Sequence, residues 1–256
     1  MITFVIPYFN EQDYLGETLA SLAAQGDRRF DLILVDNKST DRSAEIAREA
    51  AAAMPDIQVQ FLSEDRAGKL FALRSGIAAV GTELLGTMDA DTIYPPDYVG
   101  KTLALFAASP KCSGVMAFNA LGETVSVSKW LQVRVRPDHC HTGGYAQNFR
   151  TAAIKAVGQY DPAIWPYVLE DHEILHRVLE HGPVIYAKDH VCRTSDRRDD
   201  RTDVSWTLSE RILYKLLPQS RMKWFFHQFL ARRFEARGLS NIRLREQQWQ
   251  SDQSPE

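Results

Sequence analysis

The sequence predicts an α/β fold organised on a mostly parallel, Rossmann-like sheet flanked by helices, with a helical appendage toward the C-terminal end. Three observations predict it. Short β-prone apolar runs alternate with segments whose apolar residues recur at helical spacing. Acidic residues stand at the ends of two of those runs. After about residue 202, helical stripes continue without further strand patterning.

Ile2-Thr3-Phe4-Val5-Ile6-Pro7 reads as the first strand, and Leu15, Leu19, Leu22 and Ala23 follow at helical spacing, with Pro7 and Asn10 marking the turn between them. Leu32-Ile33-Leu34-Val35 forms a second strand ending at Asp36-Asn37, and Ser39 or Thr40 would cap the helix that carries Ile46, Ala47 and Ala50. A third strand is predicted over Ile57-Gln58-Val59-Gln60-Phe61-Leu62, with Leu70, Leu73 and Ile77 on the next helix. The run Glu83-Leu84-Leu85-Gly86-Thr87-Met88 predicts a fourth strand that ends at Asp89-Ala90-Asp91. Helices of this length between strands imply right-handed crossovers and a sheet buried on both faces. Ligands of such sheets bind beyond the carboxyl ends of the strands, so Asp36 and Asp89 are predicted to converge on one crevice.

Asp89 and Asp91 are two carboxylates separated by one residue at a strand end. Mg²⁺ and Mn²⁺ take hard oxygen ligands, and Mg²⁺ uses only one or two protein carboxylates where phosphate and water supply the rest. The triplet therefore suits a metal-bound nucleotide, although Asp-x-Asp also occurs in ordinary surface turns.

Further segments raise the specificity. Val5-Ile6-Pro7-Tyr8-Phe9-Asn10-Glu11, Asp36-x-x-Ser39-x-Asp41, Gly68-Lys69 and Asp89-x-Asp91 occur in this order, followed by Gly143-Gly144, Asn148-Phe149-Arg150, Val157-Gly158-Gln159-Tyr160-Asp161 and Glu170-Asp171-x-Glu173-x-x-x-Arg177. Over about residues 2 to 200 the chain resembles the family-2 glycosyltransferases. The resemblance implies a GT-A-type fold and transfer of a sugar from a nucleotide donor, UDP-sugar by family habit, to a hydroxyl acceptor with inversion at the anomeric carbon. It also implies a nucleotide-binding half (1–91) and an acceptor-binding half (92–202), followed by amphipathic helices (203–245) and a polar tail expected to be disordered (246–256).

Carried onto this sequence, the resemblance places Pro7, Tyr8, Asn10 and Glu11 beside base and ribose. Asp36 would accept a hydrogen bond from the base, against the alternative of a turn aspartate. Asp41 would serve the loop and helix start. Lys69 faces a phosphate or covers the sheet edge. Asp89 would face ribose and metal-bound water, Asp91 would ligate Mn²⁺ or Mg²⁺ directly, and His190 is a candidate third ligand or a structural histidine. Gly143 and Gly144 belong to the acceptor side.

The acceptor hydroxyl must lose its proton as it attacks, which calls for a carboxylate base. Asp171 is the candidate, with Glu170 beside it to position the acceptor or the helix start. Ile174, Leu175, Val178 and Leu179 predict a helix whose first turn holds both acids, where the helix dipole favours an ionised carboxylate. Arg197 and Arg198 resemble a diphosphate-clamping lid, while Asp196, Asp199, Asp200 and Asp203 leave a solvated mixed-charge loop as the alternative.

Asp138-His139-Cys140-His141 invites a zinc reading if extended, because His139 and His141 would then share a face. The spacing is no recognised zinc framework, so strand packing or acceptor-cleft lining is preferred. Three cysteines are too few for a disulfide scaffold and suit a reducing cytosol. The formal net charge of -3 carries no nucleic-acid signature. No signal-peptide pattern opens the sequence and no apolar run reaches the roughly 18 residues needed to span a bilayer. The expectation is a cytoplasmic protein, with the inner face of the membrane as an alternative station.

That alternative comes from the C-terminal helices. Leu208, Ile212, Leu213, Leu216 and Leu217 form one stripe. Met222, Phe225, Phe226, Phe229, Leu230 and Phe234 form another, accompanied by Arg221, Lys223, Arg232, Arg233 and Arg237. They fit an interfacial helix on anionic lipid, which would suit a lipid-linked acceptor or envelope-glycan precursor, but apolar stripes usually belong to a core, so a helix packed on its own domain or a homodimer partner is preferred. Two readings from other classes stand beside transfer: a noncatalytic nucleotide-sugar-binding or membrane-docking protein, and a nucleotidyltransferase. The second lacks a glycine- and arginine-rich phosphate loop after the first strand.

Overall fold

The computed structural model describes residues 1–195 and 206–241. Among them eight strands form a single sheet in the order β3-β2-β1-β4-β7-β6-β8-β5. Strands β1 (Ile2–Tyr8), β2 (Phe30–Asp36), β3 (Val59–Ser63) and β4 (Leu84–Met88) pair in parallel, each preceded or followed by the predicted helices α1 (Leu15–Ala23), α2 (Ser43–Ala52) and α3 (Lys69–Ala79). Every residue of β1 and of β4 is buried, as expected of central strands covered on both faces.

The second half adds β5 (Thr92–Ile93), α4 (Tyr98–Ala108), β6 (Gly114–Asn119), α5 (Val127–Val135), β7 (Ala146–Arg150), α6 (Thr151–Ala156), α7 (Glu170–Val178) and β8 (Val184–Thr194). β7 inserts between β4 and β6 antiparallel to both, while β8 runs parallel to β6 and antiparallel to β5. The sheet therefore stays mostly parallel but reverses direction beside β4. That reversal sends the chain back across the carboxyl end of β4 just before β7, which is where Gly143 and Gly144 sit.

Two apolar cores cover the faces. One joins β1, β2 and β4 to α1 and α4 through Phe4, Phe30, Leu19 and Tyr98; the other joins the same strands to α3, α6 and α7 through Val5, Val35, Leu73, Ile154 and Ile174. Burial of Ile174, Leu175 and Val178 confirms the inward face predicted for α7.

Local expectations needed correction at four places. β3 begins at Val59, because Ile57 and Met54 tuck into the α2–β3 turn through Ile57 N–H donating to Met54 O. Helix α2 begins at Ser43, and neither Ser39 nor Thr40 caps it. Asp41 Oδ1 accepts from Ser43 N at 2.9 Å instead. The Asp138–His141 segment is not an extended strand but a turn after α5: His139 Nε2 meets Tyr214 O at 3.0 Å, whereas His141 Nε2 meets Arg136 O at 2.7 Å, so the two rings turn to different partners.

The fourth correction concerns the C-terminal helices, α8 (Leu208–Leu216), α9 (Met222–Trp224) and α10 (Ala231–Ala236), the last two joined by a π-helical stretch, Phe225–Leu230. The aromatic stripe read as a membrane-facing candidate points inward. Met222, Phe225, Phe226, Leu230 and Phe234 form a third core with Trp165, Tyr214 and Leu239. Basic residues flank this core because guanidinium groups pair with a buried acid: Glu210, wholly buried, accepts from Arg233 Nε at 2.5 Å and from Arg237 Nη2 at 2.9 Å. No helix among the described residues is long and apolar enough to cross a membrane. The tail 246–256 lies outside the described residues.

Candidate active site

The carboxyl ends of β1, β2 and β4 build one crevice. At β1, Tyr8 is in register with Asp36 of β2, and burial together with the Asp36 and Asp41 carboxylates raises its phenol well above the ordinary range. The loop after β1 is held to the loop after β2. Asn10, in the left-handed region at φ 51°, accepts from Thr40 N at 2.8 Å, and Glu11 N–H donates to Ser43 Oγ at 2.7 Å. Pro7, Tyr8, Asn10, Glu11 and Asp36 are thus brought together. Asp36 Oδ1 accepts from Ser39 N at 2.8 Å, the turn role weighed for it, and this leaves its other oxygen outside that turn. Asp41 serves the loop, accepting from Gln12 N at 3.1 Å.

Asn37 was missed, although it stands next to Asp36 at the strand end where side-chain turns are common. It is buried; its Nδ2 donates to Glu64 O and Arg66 O, and its Oδ1 accepts from Gly68 N at 2.8 Å. These bonds hold Gly68 at φ 128°, a conformation suited to glycine, and so launch α3 with Lys69 aimed across the crevice. Lys69 Nζ meets Asp89 Oδ1 at 2.5 Å.

The Asp89-Ala90-Asp91 turn is also fixed from below. Thr18 Oγ1 donates to Ala90 O at 2.9 Å and accepts from Thr92 N at 3.1 Å. Asp91 is tied to the end of β8, its Oδ2 accepting from Ser195 Oγ at 3.0 Å and its backbone O from Ser195 N at 2.9 Å. Asp89 and Asp91 are both more than nine-tenths buried at this edge. Their hard oxygens fit Mg²⁺ or Mn²⁺. Among the described residues no group of three His, Cys, Asp or Glu side chains closes around a cation, so the other positions would fall to phosphate and water, the pattern usual for Mg²⁺.

His190 is not part of that arrangement. It lies five residues before Ser195 on β8, about 16 Å of extended chain away. It is wholly buried against Tyr98 at 4.7 Å between ring centres, with Nε2 3.2 Å from Thr102 Oγ1. Burial and the nearby Lys101 charge push its imidazole down to about 4. The third-ligand expectation is therefore corrected: His190 is a core histidine. Arg197 and Arg198 lie outside the described residues.

Gly143 and Gly144, just before β7, pass directly over the crevice. A Cβ on Gly144 would lie 3.4 Å from Lys69 Nζ and 3.7 Å from Asp171 Cβ, and one on Gly143 would lie 2.5 Å from the Tyr145 ring. A side chain on Gly143 would clash with that ring. Thr87 Oγ1 on β4 donates to Gly144 O at 3.0 Å, which fixes the strap.

Helix α7 delivers Glu170 and Asp171 in its first turn, after Leu169 in the left-handed conformation at φ 64°. A leucine there carries backbone strain and marks a constrained position. Gln147, a wholly buried β7 residue unnoticed in the sequence, donates from Nε2 to Asp171 O at 2.9 Å and receives Tyr160 OH at 3.0 Å. Burial opposes the Asp171 charge. His172, whose N and Nδ1 both approach Oδ1 at 2.9 Å, and Lys69 outweigh that opposition and hold Asp171 below the usual carboxylate range. Glu170 goes the other way: burial raises it, the Asp171 and Asp89 carboxylates add to the rise, and Lys69 only partly offsets them. Adjacent acids are thus shifted in opposite directions, Asp171 toward the ionised form and Glu170 toward the protonated one. Asn241 Nδ2 donates to Glu170 Oε2 at 3.2 Å. Farther along the helix, Glu173 and Arg177 pair at 2.7 Å and act structurally, with His227 at 3.1 Å from Glu173.

Fold and crevice together define a GT-A-type α/β protein with a carboxylate-rich site at the ends of its central strands. Residues 3–126 match the family model described as glycosyl transferase family 2. Among curated proteins, the chain is 38% identical over 101 residues to the undecaprenyl-phosphate 4-deoxy-4-formamido-L-arabinose transferase of Edwardsiella ictaluri, covering 38% of this chain and 31% of the relative. It is 36% identical over 107 residues to the protein of that name in Klebsiella pneumoniae, covering 40% and 32%. The matches span about a third of those relatives' length. Among solved structures, a mannosyltransferase from Pyrobaculum calidifontis in complex with GDP-Man and Mn²⁺ superposes with TM-score 0.65 at 19% identity, covering 84% of this chain and 62% of that one. TarS 1–349 of S. aureus gives 0.66 at 16% identity, covering 91% and 72%. These likenesses establish the fold.

Proposed function

We propose that this chain is a glycosyltransferase that moves a sugar from a nucleotide-sugar, a UDP-sugar for preference, to a hydroxyl acceptor carried on a lipid, with a divalent cation and inversion at the anomeric carbon. The observation that carries the reading is the meeting of donor and acceptor sides: Lys69 bonds Asp89 at 2.5 Å while the Gly143-Gly144 strap lies against both Lys69 and Asp171. The named relatives and the metal- and nucleotide-bound structural neighbours support the reaction class.

In this reading Tyr8, Asn10, Glu11 and Asp36 surround the nucleoside, and Lys69 offsets phosphate charge. Asp91, with Asp89, would hold Mn²⁺ or Mg²⁺, which when bound neutralises charge on the leaving diphosphate. The acceptor oxygen forms a bond to the anomeric carbon as the bond from that carbon to the diphosphate oxygen breaks. The electron pair departs with the nucleoside diphosphate, and the hydroxyl proton passes to an Asp171 oxygen. Glu170, beside it in the first turn of α7, would position the acceptor.

A second reading has one observation in its favour, the undecaprenyl phosphate in the relatives' name. A phosphate monoester oxygen, with a second pKa near 6, is already ionised at neutral pH and needs no base. Thermal-shift titration with UDP-, GDP- and dTDP-sugars in the presence of Mn²⁺ or Mg²⁺ tests the donor, since a ligand that binds the native state raises stability by mass action. Failure of every nucleotide sugar to stabilise the protein or to be turned over would refute transfer.

A further inference from the structure

Helices α5 and α8 each present an apolar stripe to the outside. On α5 these are Val127 (74% exposed), Leu131 (62%) and Val135 (67%); on α8 they are Leu208 (72%), Ile212 (50%) and Leu216 (73%). Both sets follow i, i+4, i+8, so each stripe runs along one side of its helix. Their inward sides are already satisfied: Val133 is buried on α5, and Tyr214 is buried on α8. Isolated exposed leucines are ordinary, but two parallel-spaced triplets on neighbouring helices mark an interaction surface.

The two helices are joined at their C-terminal ends. Arg136, capping α5, donates to Lys215 O at 2.7 Å and Leu217 O at 2.5 Å, and Cys140 N–H donates to Tyr214 OH at 2.9 Å. The same turn leads within three residues to Gly143, and the Cys140 thiol approaches Asp171 O at 3.8 Å. Trp206, just ahead of α8, packs edge-on against His172 at 5.0 Å. The apolar surface therefore borders the acceptor side of the crevice.

Charge distinguishes the occupants. The exposed charged residues within these two helices are Arg134, Arg211 and Lys215, all basic. The one acid, Glu210, is buried in its pairs with Arg233 and Arg237; exposed Glu123 lies in the loop before α5. A second copy docking through the same face would set like charges against like. An anionic lipid surface accepts both apolar anchors and flanking cations. We propose that the α5 and α8 stripes together form an interfacial docking face for anionic lipid, seating the acceptor side of the crevice at the bilayer surface. The purpose of this face rests on the lipid-borne acceptor proposed above. Vesicle binding needs neither donor nor turnover, so failure here and failure of transfer are read separately.

The test is flotation of the full chain with phosphatidylcholine vesicles with and without phosphatidylglycerol, alongside sedimentation to read oligomeric state. Wild type is expected to float with the phosphatidylglycerol vesicles. Leu131→Ser with Ile212→Ser should lower partitioning at least about tenfold with folding intact, since both side chains are largely exposed in the free protein. Arg134→Glu with Lys215→Glu should remove the preference for phosphatidylglycerol. Phe61→Ser, on edge strand β3 at the opposite end of the sheet, should change nothing. Absent vesicle binding, or equal binding by wild type and the Leu131/Ile212 variant, overturns the proposal. So does a wild-type dimer that the same variant dissociates without any vesicle binding, which would assign the face to a second copy.

Discussion

Replacing Asp171 with Asn separates shape from charge at the proposed base. Asn retains an Oδ1 acceptor for the His172 backbone N–H now 2.9 Å away, and the backbone at 171 stays anchored by Gln147 Nε2. The variant should therefore fold and bind donor near normally. What disappears is the ionised oxygen that burial would neutralise but for His172 and Lys69. For a hydroxyl acceptor the loss is that of a general base, about 10²- to 10⁴-fold in kcat, or roughly 3 to 5 kcal/mol of barrier at about 1.4 kcal/mol per decade. Single-turnover transfer under saturating donor gives this factor directly, and donor titration gives the Kd. A drop confined to kcat fits removal of a transition-state interaction. Transfer within about twofold of wild type would refute the hydroxyl reading and favour a phosphate acceptor, which brings its own negative charge. If Glu170→Gln instead abolished transfer, the two carboxylates would exchange roles.

Four further outcomes follow from the same geometry. Asp91→Ala should keep the fold, because it removes an edge carboxylate bonded to Ser195, and should abolish the Mn²⁺-dependent gain in nucleoside diphosphate affinity by calorimetry; an unchanged gain refutes the ligand role. Lys69→Met removes a charge that lowers both acids, so the acidic limb of the pH–kcat profile should move to higher pH while Lys69→Arg leaves it in place; an unmoved limb in Lys69→Met rejects the coupling. Stability should fall with pH below about 6.5, because buried His190 and His176 are pushed down to about 4 and about 3 by burial. Their contribution, on the order of a few kcal/mol each, is complete above the unfolded value and lost as pH drops through the folded ones, with the raised carboxyls of Glu170 and Asp31 opposing in part. Denaturant midpoints at pH 7 and 4.5 measure it, and His190→Phe should flatten the slope. Finally, Phe226→Ala, almost fully buried against Trp165 and His176, should cost about 3 to 5 kcal/mol by denaturation; a cost under about 1 kcal/mol would contradict the third core.

The first four strands were legible because their apolar runs end in polar turns, and their parallel pairing follows from the helices between them. β7 was not predicted as a strand. Ala146-Gln147-Asn148-Phe149-Arg150 carries polar Gln147 and Asn148, wholly buried here because Gln147 holds Asp171 and Tyr160, and Asn148 Nδ2 donates to Tyr98 OH and Val115 O. Hydrophobic periodicity cannot register a strand whose buried side chains are amides bonded to tertiary partners. The Asp89-x-Asp91 and Glu170-Asp171 pairs were visible as motifs, yet their electrical difference was not, since it comes from His172, Lys69 and burial. Thr18 and Asn37, which fix the loops after β4 and β2, carry no motif at all. The aromatic stripe of the C-terminal helices was visible, but sequence alone could not say which way it faced; Trp165 and Leu239 decide that from the other side of the chain.

The crevice has a charge balance that bears on how a donor can enter it. Asp89, Asp91, Glu170 and Asp171 converge there, and among the described residues the cation bonded within the cluster is Lys69. Burial raises Glu170, the Asp171 and Asp89 carboxylates add to that rise, and one ammonium faces the group. A nucleoside diphosphate adds negative charge to that side, and with effective dielectric values near 20 each unscreened contact at about 4 Å costs about 4 kcal/mol. One ammonium, already bonded to Asp89 at 2.5 Å, would offset only part of the charge that a diphosphate adds. Donor binding in this crevice therefore requires positive charge brought in with the ligand or closed over it. A divalent cation held by Asp91, as proposed above, would supply it beside the diphosphate, at a carboxylate that Ser195 already fixes through two hydrogen bonds.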